Sequence, residues 1–596
     1  MKQLDANFFV FKDTCNVYLI HAGDHSVLID FGSGEVLKLL PGMGVSRVDA
    51  ILMTHHHRDQ GQGLRKAVAA NIPIFVPHME QDLFSQTESF WQGRQILNNY
   101  NVRQDRFSLR MPVRITGTLH DYENLNYGAL NFSVVPTPGH TPGSLSLMTT
   151  LNDERLVFSG DLIHSSGKLW SLSATQWTYN GAEGAPATIA SLLDLKERQP
   201  DVLLPSHGNP IYNPADAIDQ LVKRLWHLLR MRGENPRLFE LREKPYEAIL
   251  PHLLRHRASM ANAYVLLSDR GKALMIDFGY DFMTGVPEGT DRAARRPWLY
   301  TLPALKKQFG VSHVDVVLPT HYHDDHVAGM NLLRDVEGTQ TWVPENFSDI
   351  LQDPYVYDLP CLWYDPIAVD RVLPLGEPIK WEEYTLRVYK LPGHTLYAAA
   401  IMVEVDGKRV MAVGDQYQGD DGLQWNYVYQ NRYQIGDYQA TARLYQQLNP
   451  ELILPGHWQP FYVKPDYFEK LADQAQEMED LQRSLLPGEP EMGAEGFIAR
   501  FKPYQVFTSS GKAFNLAVEV RNPYREAQKT EIRLVTPEGW QVDPSLQHVK
   551  IVDSAIISFK VTPIQAVPVR RMRITADITM GEQCFGEQAE ALVTVD

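Results

Sequence analysis

The segment THYHDDH at residues 320–326 concentrates three histidines and two aspartates. An earlier segment, THHHRDQ at residues 54–60, repeats the arrangement but has Gln60 where the later one has His326. Neutral imidazoles and carboxylates are ligands of borderline divalent metals such as zinc. Neither segment contains a cysteine, whereas closed structural zinc sites usually include thiolates. The two clusters therefore indicate metal sites of a different kind from a closed structural zinc site.

Further candidate ligands follow each cluster in the same order. The later half continues with the motifs PGH, GD and PGH, and the earlier half with PGH, GD and PSH. In both halves 21 residues separate the first of these histidines from the aspartate. Seven candidates are too many for one closed four-ligand site, so two metals that share a water are the natural interpretation. The candidates are His321, His323, Asp325, His326, His394, Asp415 and His457 in the later half, and His55, His57, Asp59, His140, Asp161 and His207 in the earlier half.

The elements that position these residues are also duplicated. NVYLIHAGDHSVLIDFG at 16–32 corresponds to NAYVLLSDRGKALMIDFG at 262–279, and the matching order of all motifs marks a repeated domain. We place the two copies at residues 1–235 and 236–485. Apolar alternating runs predict strands, and one such run leads directly into each histidine cluster. The clusters are therefore expected on strand-end loops, where α/β folds place their sites.

Helical patterns are interspersed with these strands. The segment 213–231 has Asn213 as a candidate N-cap and Pro214 in its first turn. Its apolar residues recur with helical spacing and are expected on one face: Ile218, Leu221, Val222, Leu225, Leu228 and Leu229. Strands mixed with helices in each copy predict an α/β fold in which helices enclose the sheets.

The pattern changes after the second copy. Residues 486–497 are rich in Pro, Gly and Glu, which predicts a linker. Residues 498–596 contain short alternating strands such as FNLAVEVRN and IISFKVTP without a helical period, which predicts a β-sandwich. Stretches such as EVRNP and TPEGWQV resemble immunoglobulin-like accessory modules. A protein or glycan partner is the expectation for this module.

The ordered motifs HxHxDH, PGH, GD and PGH resemble those of the metallo-β-lactamase superfamily. The resemblance covers residues 1 to about 480, and it implies two αββα sandwiches, each with its site at one edge between the two sheets. In the second copy it implies that one metal is held by His321, His323 and His394, that the other is held by Asp325, His326 and His457, and that Asp415 bridges the two. Zinc is the expected metal, with two ions in a complete site, and iron or manganese are alternatives.

The first copy departs from this pattern. Gln60 replaces an imidazole with a neutral amide, which is a poor zinc ligand. Arg58 adds a positive charge where the second copy has Asp324. Two interpretations stay open: a weak or single-metal site, or a mainly architectural half that braces its partner.

The resemblance implies hydrolysis by a hydroxide held between two metals, with Asp325 as the residue that delivers a proton to the leaving group. The expected substrate is a small ester, thioester or lactone, and the second copy is the main active site. A phosphodiesterase and a non-catalytic assembly protein braced by metals are the alternatives. Redox relatives fit less well, because the flavin-linked di-iron branch usually carries Glu at the position of His323.

Two segments are candidates for substrate contacts. Aromatic residues after Asp415 are expected to wall an apolar pocket or to pack the two copies together: Trp425, Tyr427, Tyr429 and Tyr433. LWSLSATQWTY at 169–179 is their counterpart in the first copy. The segment 280–298, which the first copy lacks, carries arginines that are expected to meet an anionic substrate or to lie in a solvated loop: Arg292, Arg295 and Arg296.

The composition of the chain limits the classes of binding partner and the cellular location that we expect. A net charge of −16 disfavours nucleic acid, because phosphate binding normally leaves a basic footprint. Three scattered cysteines argue against a disulfide framework and fit a reducing compartment. No signal peptide and no apolar run long enough for a membrane helix is recognisable. A cytoplasmic protein that binds a small molecule, with a homo-oligomer as a further possibility, is the expectation.

Overall fold

A computed structural model describes residues 2–22, 25–94, 96, 104–178, 184–231, 233, 237–286, 289–417, 419–422 and 427–596. Trp425 and Tyr179, which belong to the two aromatic segments, lie outside these ranges. The described chain forms two similar α/β regions followed by an all-β region. Among the described residues, no helix is both long and apolar enough to cross a bilayer.

The first repeat contains two sheets. The seven strands of the first sheet lie side by side in chain order: β1 (Lys2–Asp5), β2 (Phe8–Lys12), β3 (Asn16–Ala22), β4 (His25–Ile29), β5 (Ala50–Leu52), β6 (Ile74–Pro77) and β7 (Gly117–Leu119). The five strands of the second sheet also follow chain order: β8 (Asn124–Tyr127), β9 (Leu130–Pro136), β10 (Leu145–Leu151), β11 (Glu154–Gly160) and β12 (Val202–Pro205). The helices are α1 (Arg58–Gly61), α2 (Leu64–Ala69), α3 (Gln81–Ser85), α4 (Thr87–Gly93), α5 (Gly184–Glu197), α6 (Pro214–Met231) and α7 (Arg237–Glu243).

These elements form four layers. Tyr18 and Ile29 from the first sheet pack against Phe132, Leu147 and Phe158 from the second sheet, so that apolar side chains fill the space between the sheets. Helices α2 and α3 cover the outer face of the first sheet, and α5 and α6 cover that of the second. The prediction of an αββα sandwich is confirmed.

The second repeat has the same architecture. Its first sheet contains β13 (Tyr246–Leu250), β14 (Leu253–His256), β15 (Ala263–Leu267), β16 (Lys272–Ile276), β17 (His313–Leu318), β18 (Gln340–Pro344) and β19 (Arg371–Leu373). Its second sheet contains β20 (Ile379–Trp381), β21 (Tyr384–Lys390), β22 (Ala399–Val405), β23 (Lys408–Gly414), β24 (Leu452–Pro455) and β25 (Phe461–Tyr462). The helices are α8 (Leu302–Phe309), α9 (Asp324–Val327), α10 (Met330–Glu337), α11 (Ser348–Gln352), α12 (Asp437–Leu448) and α13 (Tyr467–Leu485).

The C-terminal region is a two-sheet sandwich, as predicted. Four strands form one sheet, in the order β26 (Ala499–Lys502), β28 (Phe514–Arg521), β32 (Ser554–Thr562) and β30 (Gln541–Asp543). Five strands form the other, in the order β27 (Gln505–Thr508), β34 (Gln583–Val595), β33 (Val569–Met580), β29 (Gln528–Val535) and β31 (Leu546–Ile551). Leu516, Phe559, Ile574 and Val593 belong to one buried core that both sheets share. The likeness to immunoglobulin modules and the domain boundaries at 235 and 485 stay predictions.

Helix α6 follows its predicted pattern with one exception. Pro214 begins the helix and Ile218, Leu221 and Leu225 are buried against the second sheet. Leu228 was expected on the same face, but its side chain is 38% exposed. It follows Leu225 by three residues and precedes the buried Leu229, and therefore lies at the solvent edge of the apolar stripe.

The segment 280–298 joins the two repeats, so the expectation that its arginines meet a substrate or lie in solvent is wrong for Arg296. Its guanidinium is fully buried and donates two hydrogen bonds to Asp121 of the first repeat, with Nη2 to Oδ1 at 2.8 Å. It also donates to the backbone carbonyls of Pro142 and Ser144, at 2.7 and 2.9 Å. Arg296 thereby supports the loop that carries His140.

Arg292 makes a second bridge between the repeats. It donates to Asp82 of the first repeat at 2.7 Å and to Asp365 of the second at 2.9 Å. His78 of the first repeat faces the same Asp365 carboxylate, with Nε2 at 2.9 Å from Oδ2. The expectation of a substrate-binding or solvated arginine is therefore wrong here as well.

Apolar contacts complete this interface. Trp298 and Met283 pack against Ala190 of the first repeat in one buried cluster. Trp177 of the first repeat is buried with Val286 of the second in another. For Trp177, the interpretation that the aromatic segment of the first copy packs the two copies together agrees with the structure.

Candidate metal centre

The candidate ligands of the second repeat lie where strands end. The loop with His321 and His323 and the short helix α9 follow β17, Asp415 follows β23, and His457 follows β24. Because β17 belongs to the first sheet and β23 and β24 to the second, the ligands meet at one edge between the sheets. This placement matches the strand-end loops expected from the sequence.

The seven candidates of the second repeat fall into two groups that share one residue. Potential ligand atoms of His321, His323, His394 and Asp415 lie within 4.8 Å of one another. The second group obeys the same limit and contains Asp325, His326, Asp415 and His457. Asp415 thus belongs to both groups, and all seven residues predicted from the sequence are brought together.

The nitrogen atoms of the first group are oriented toward a common point. Nε2 of His394 lies 3.3 Å from Nδ1 of His323 and 3.6 Å from Oδ2 of Asp415. Among the described residues, the buried Nε2 atom of His321 meets no hydrogen-bond partner. Burial and the neighbouring imidazole of His394 lower the pKa of His323 to about 3. The His323 imidazole is therefore neutral near neutral pH and keeps one nitrogen lone pair for a metal. Converging neutral imidazoles beside a carboxylate fit a divalent metal such as zinc.

The carboxylates of the second group favour a positive charge between them. Nε2 of His457 lies 3.1 Å from Asp325 Oδ2 and 3.2 Å from Asp415 Oδ2, and Nε2 of His326 lies 3.3 Å from Asp415 Oδ1. Burial alone would lower the pKa of His457, but the two carboxylates raise it to about 10. Two carboxylates that strongly favour a neighbouring cation fit a second metal ion.

Asp277 orients two of the ligand histidines, and sequence reasoning missed it. Its Oδ2 atom lies 2.9 Å from Nδ1 of His326 and accepts a hydrogen bond from the Thr320 hydroxyl at 2.8 Å. The same hydroxyl lies 3.2 Å from Nδ1 of His321. Contacts of this kind fix the ring orientation and tautomer of metal-binding histidines. The signal in the sequence was the repeated motif IDFG at the end of the fourth strand of each first sheet.

Asn431 is a second residue that sequence reasoning missed. Its side chain is buried; Oδ1 lies 3.4 Å from Nε2 of His323, and Nδ2 donates to the backbone carbonyl of His394 at 3.0 Å. The Tyr322 hydroxyl donates to the same Oδ1 atom at 3.1 Å. Asn431 lies among the aromatic residues that drew attention in the sequence, but a lone Asn in an irregular segment carries no signal of its own.

The described aromatic residues near Asn431 pack on one another and on helix α13. Tyr427, Tyr429 and Tyr433 contact one another, with ring centroids 5.4 to 6.5 Å apart. Tyr433 donates a hydrogen bond to Gln482 of α13 at 3.0 Å. These tyrosines therefore pack on the second repeat's own C-terminal helix, and the expectations that they wall an apolar pocket or join the two copies stay predictions.

The first repeat retains the three-histidine group. Potential ligand atoms of His55, His57 and His140 lie within 4.8 Å of one another, and Nε2 of His140 lies 2.9 Å from Nδ1 of His57. Within the part of the chain that the structure describes, the buried Nε2 of His55 finds no hydrogen-bond partner. Burial and the nearby imidazole of His140 lower the pKa of His55 to about 3. This trio is also a fitting site for one divalent ion.

The second group of the first repeat is brought together but bonded differently. Asp59, Asp161 and His207 have potential ligand atoms within 4.8 Å. However, His207 turns Nδ1 toward Asp161 Oδ1 at 2.8 Å, and its Nε2 lies 3.1 Å from the Thr14 carbonyl oxygen. Gln60 donates to Asp161 Oδ2 at 3.3 Å. In the first repeat, protein groups thus already bond the carboxylate and imidazole atoms. The counterparts of these atoms in the second repeat face the position of the second metal ion.

Ser206 and Gly456 occupy corresponding positions, and they explain this difference. In the first repeat the Ser206 hydroxyl donates to Asp30 at 2.7 Å, and Asp30 is the counterpart of Asp277. In the second repeat a Cβ atom on Gly456 would lie 2.0 Å from Asp415 Oδ1 and 2.9 Å from Cε1 of His326. A side chain at position 456 would therefore crowd both Asp415 and the His326 ring, whereas the first repeat holds Ser206 beside Asp161 with Gln60 in place of the histidine.

Trp170 covers the same part of the first repeat. Its ring stacks on His207 with centroids 4.2 Å apart and planes inclined by 1°, while half of the tryptophan side chain stays exposed. The His207 imidazole is therefore covered by the Trp170 indole on one face and bonded through Nε2 to the Thr14 carbonyl oxygen.

The sequence profile of the Metallo-beta-lactamase superfamily matches residues 10–207 and 256–457, which together form more than half of the chain. The chain belongs to this superfamily. The two matched segments coincide with the two αββα repeats and include all thirteen candidate ligands. The C-terminal sandwich lies outside both segments.

Individual relatives match parts of the chain. Beta-lactamase-like protein 2 homolog of Drosophila melanogaster is 25% identical over 217 residues, which are 35% of this chain and 63% of that protein. Hydroxyacylglutathione hydrolase of Methylobacillus flagellatus is 28% identical over 153 residues, which are 25% of this chain and 48% of that protein. Acyl-coenzyme A thioesterase MBLAC2 of Bos taurus is 25% identical over 232 residues, 35% of this chain and 77% of that protein. The chain thus spans less than two thirds of the length of the first two relatives.

Among solved structures, the class B3 di-zinc metallo-beta-lactamase LRA-12 from an Alaskan soil metagenome is 16% identical. The match covers 39% of this chain and 94% of that one, with a TM-score of 0.29.

Proposed function

We propose that this protein is a metal-dependent hydrolase with two zinc ions in the second repeat, and that its substrate is a small ester, thioester or lactone. The observation that carries the proposal is the convergence of seven side chains in two groups that share Asp415. Zinc ions held there would supply Lewis acidity and would bring the pKa of a water molecule to about 7. His321, His323 and His394 would hold one ion, and Asp325, His326 and His457 the other.

Asp325 is the residue we assign to proton transfer. Its side chain is 16% exposed, so it borders the open side of the site, whereas the side chains of His326 and Asp415 are more deeply buried. A carboxylate in this position can hold a proton and deliver it to the leaving oxygen or sulfur of the substrate. His457, whose Nε2 lies 3.1 Å from Asp325 Oδ2, keeps that carboxylate in place.

The relatives support an acyl substrate. One of them is named an acyl-coenzyme A thioesterase and another a hydroxyacylglutathione hydrolase. The second repeat is the better candidate for catalysis, because its ligand set is complete, whereas Gln60 interrupts that of the first repeat.

A substrate panel tests the proposal. The purified chain is assayed with an aryl ester, an acyl thioester, a lactone and an aryl phosphodiester, before and after metal removal with a chelator. We expect acyl turnover that disappears with the chelator and returns with zinc. Turnover confined to the phosphodiester would contradict the acyl assignment, and turnover that survives metal removal would contradict a metal-dependent hydrolase.

A further inference from the structure

The C-terminal sandwich is connected to the metal site of the second repeat through two consecutive ion pairs. Arg500, in strand β26, forms an ion pair with Glu495 of the linker. Glu495 in turn binds Arg432 of the second repeat, and Arg432 follows directly after Asn431. We propose that the sandwich positions the metal ligands of the second repeat through Asn431. This inference rests on the proposed metal-binding function.

Asn431 is suited to hold two ligands at once. Nδ1 of His323 faces His394, so its Nε2 is the outer nitrogen, and this outer nitrogen lies 3.4 Å from the Asn431 amide oxygen. An amide oxygen accepts a hydrogen bond from Nε2–H, which leaves the Nδ1 lone pair for a metal. The Asn431 amide nitrogen donates to the carbonyl of His394 and fixes the second ligand loop.

The backbone around Asn431 depends on Arg432. Arg432 has φ of 63°, in the left-handed region that residues other than glycine adopt only where their surroundings impose it. Its backbone N–H donates to Glu495 Oε1 at 3.1 Å, and its guanidinium lies 3.7 Å from Glu495 Oε2. The guanidinium also donates to the Asp358 carbonyl at 2.8 Å. The linker therefore imposes the turn that aims Asn431 at the ligands.

The sandwich also fixes the segment that contains Asp358. The Tyr504 N–H donates to the Val356 carbonyl at 3.0 Å, and the Lys502 ammonium lies 5.2 Å from the centroid of the Tyr357 ring. Two independent contacts of Arg432, with Glu495 and with Asp358, thus lead to the same module. A module that served only to recruit a partner would not require either contact.

Zinc affinity of the full chain is the test, in a His140→Ala background that disables the histidine trio of the first repeat. Binding is measured by competition with a chromophoric chelator, and thermal unfolding is followed in parallel. We expect Asn431→Leu to weaken the binding of one zinc ion by about 10- to 100-fold, as is typical when a residue that orients a metal ligand is lost. Asn431→Asp keeps an oxygen opposite His323 but loses the donor to the His394 carbonyl, so its zinc affinity is expected to fall between those of Asn431→Leu and the parent chain.

The link to the sandwich is tested with a matched pair in the linker. Glu495→Ala is expected to weaken the affinity for the same zinc ion several-fold. Glu491→Ala is the control and should leave this affinity unchanged, because Glu491 contacts Arg521 only through its backbone carbonyl. Equal affinities for Asn431→Leu and the parent chain, or equal effects of the two linker variants, would overturn the inference while the proposed function stands. A parent chain that binds no zinc would overturn both.

Discussion

Gly456 and Ser206 stand one residue before the last ligand histidine of their repeats, and they separate the two sites chemically. Gly456 leaves room for His326 beside Asp415, whereas Ser206 supplies Asp30 with a hydrogen bond in place of an imidazole. The exchange of His for Gln in the first repeat is therefore accompanied by a second change that makes it tolerable. This coupling favours the interpretation of the first repeat as a single-metal or architectural half.

The coupling predicts that the lost ligand cannot be restored alone. Gln60→His should add no metal, because a side chain at Ser206 crowds the new ring, whereas Gln60→His with Ser206→Gly should add up to one zinc ion per chain. Elemental analysis of the single and double variants measures the difference. Equal metal contents in the two variants would show that the serine is not the obstacle.

At the scale of residues, the sequence predicted the candidate metal ligands but not the residues that orient them. The ligands were recognisable because imidazoles and carboxylates recur at fixed spacing in both copies. Asp277 and Asn431 act through contacts between segments that are distant in the chain, 49 residues for Asp277 and His326 and 108 for Asn431 and His323. The repeated IDFG motif marks Asp277 as shared by the two copies, but no periodicity or spacing tells which histidine it contacts.

At the scale of elements, the segment 280–298 is the most important connection, because its arginines contact segments next to both sites. Arg296 contacts the loop of His140 in the first repeat, while Arg295 lies 3.2 Å from Asp324, beside Asp325 in the second. One insertion thus touches the ligand loops of both sites. Sequence reasoning identified the arginines but not their partners, since a buried ion pair between repeats leaves no local pattern.

Loss of Arg296 should be costly. Arg296→Met leaves Asp121 buried without its cation, and breaking a buried pair in this way typically costs about 3–5 kcal/mol. The variant Arg296→Met with Asp121→Asn should recover part of this free energy of unfolding. Urea unfolding of the two single variants and the double variant forms a cycle that isolates the pair. If Arg296→Met lowered the free energy of unfolding by no more than the loss of a surface ion pair does, the result would contradict a buried bridge between the repeats.

The Asp365 bridge should respond to acid. Burial opposes its ionisation, but the hydrogen bonds from His78 and Arg292 hold the pKa of Asp365 well below its ordinary value. A carboxyl whose pKa is depressed in the folded state stabilises that state above its ordinary pKa of about 4, and this contribution is lost as the pH falls further. Asp365→Asn should therefore lower the free energy of unfolding by roughly 1–3 kcal/mol at pH 7 and by less at pH 3.

Urea unfolding at the two pH values measures this difference. Asp219→Asn is a suitable control, because Asp219 forms an exposed pair with Lys196 and its loss should matter little at either pH. A cost of Asp365→Asn that did not change between pH 7 and pH 3 would contradict the assignment.

At the scale of the whole molecule, duplication supplied two scaffolds that are joined into one body. The repeated motifs predicted both αββα sandwiches, and alternating strands predicted the two-sheet C-terminal module. The way the three parts meet was not predictable, because it depends on single residues such as Arg292, Arg432 and Glu495. The second repeat thus contacts the first repeat through Arg292 and Arg296 and the C-terminal sandwich through Arg432 and Tyr357.

Metal content per chain, measured on protein purified without added metal, tests the central claim most directly. The account predicts about two or more zinc ions in the parent chain, and a loss of more than one ion in Asp415→Ala, because this carboxylate belongs to both groups. The matched change Asp161→Ala in the first repeat should remove at most one. A parent chain with one ion or fewer, or an unchanged content in Asp415→Ala, would contradict a shared two-metal site in the second repeat.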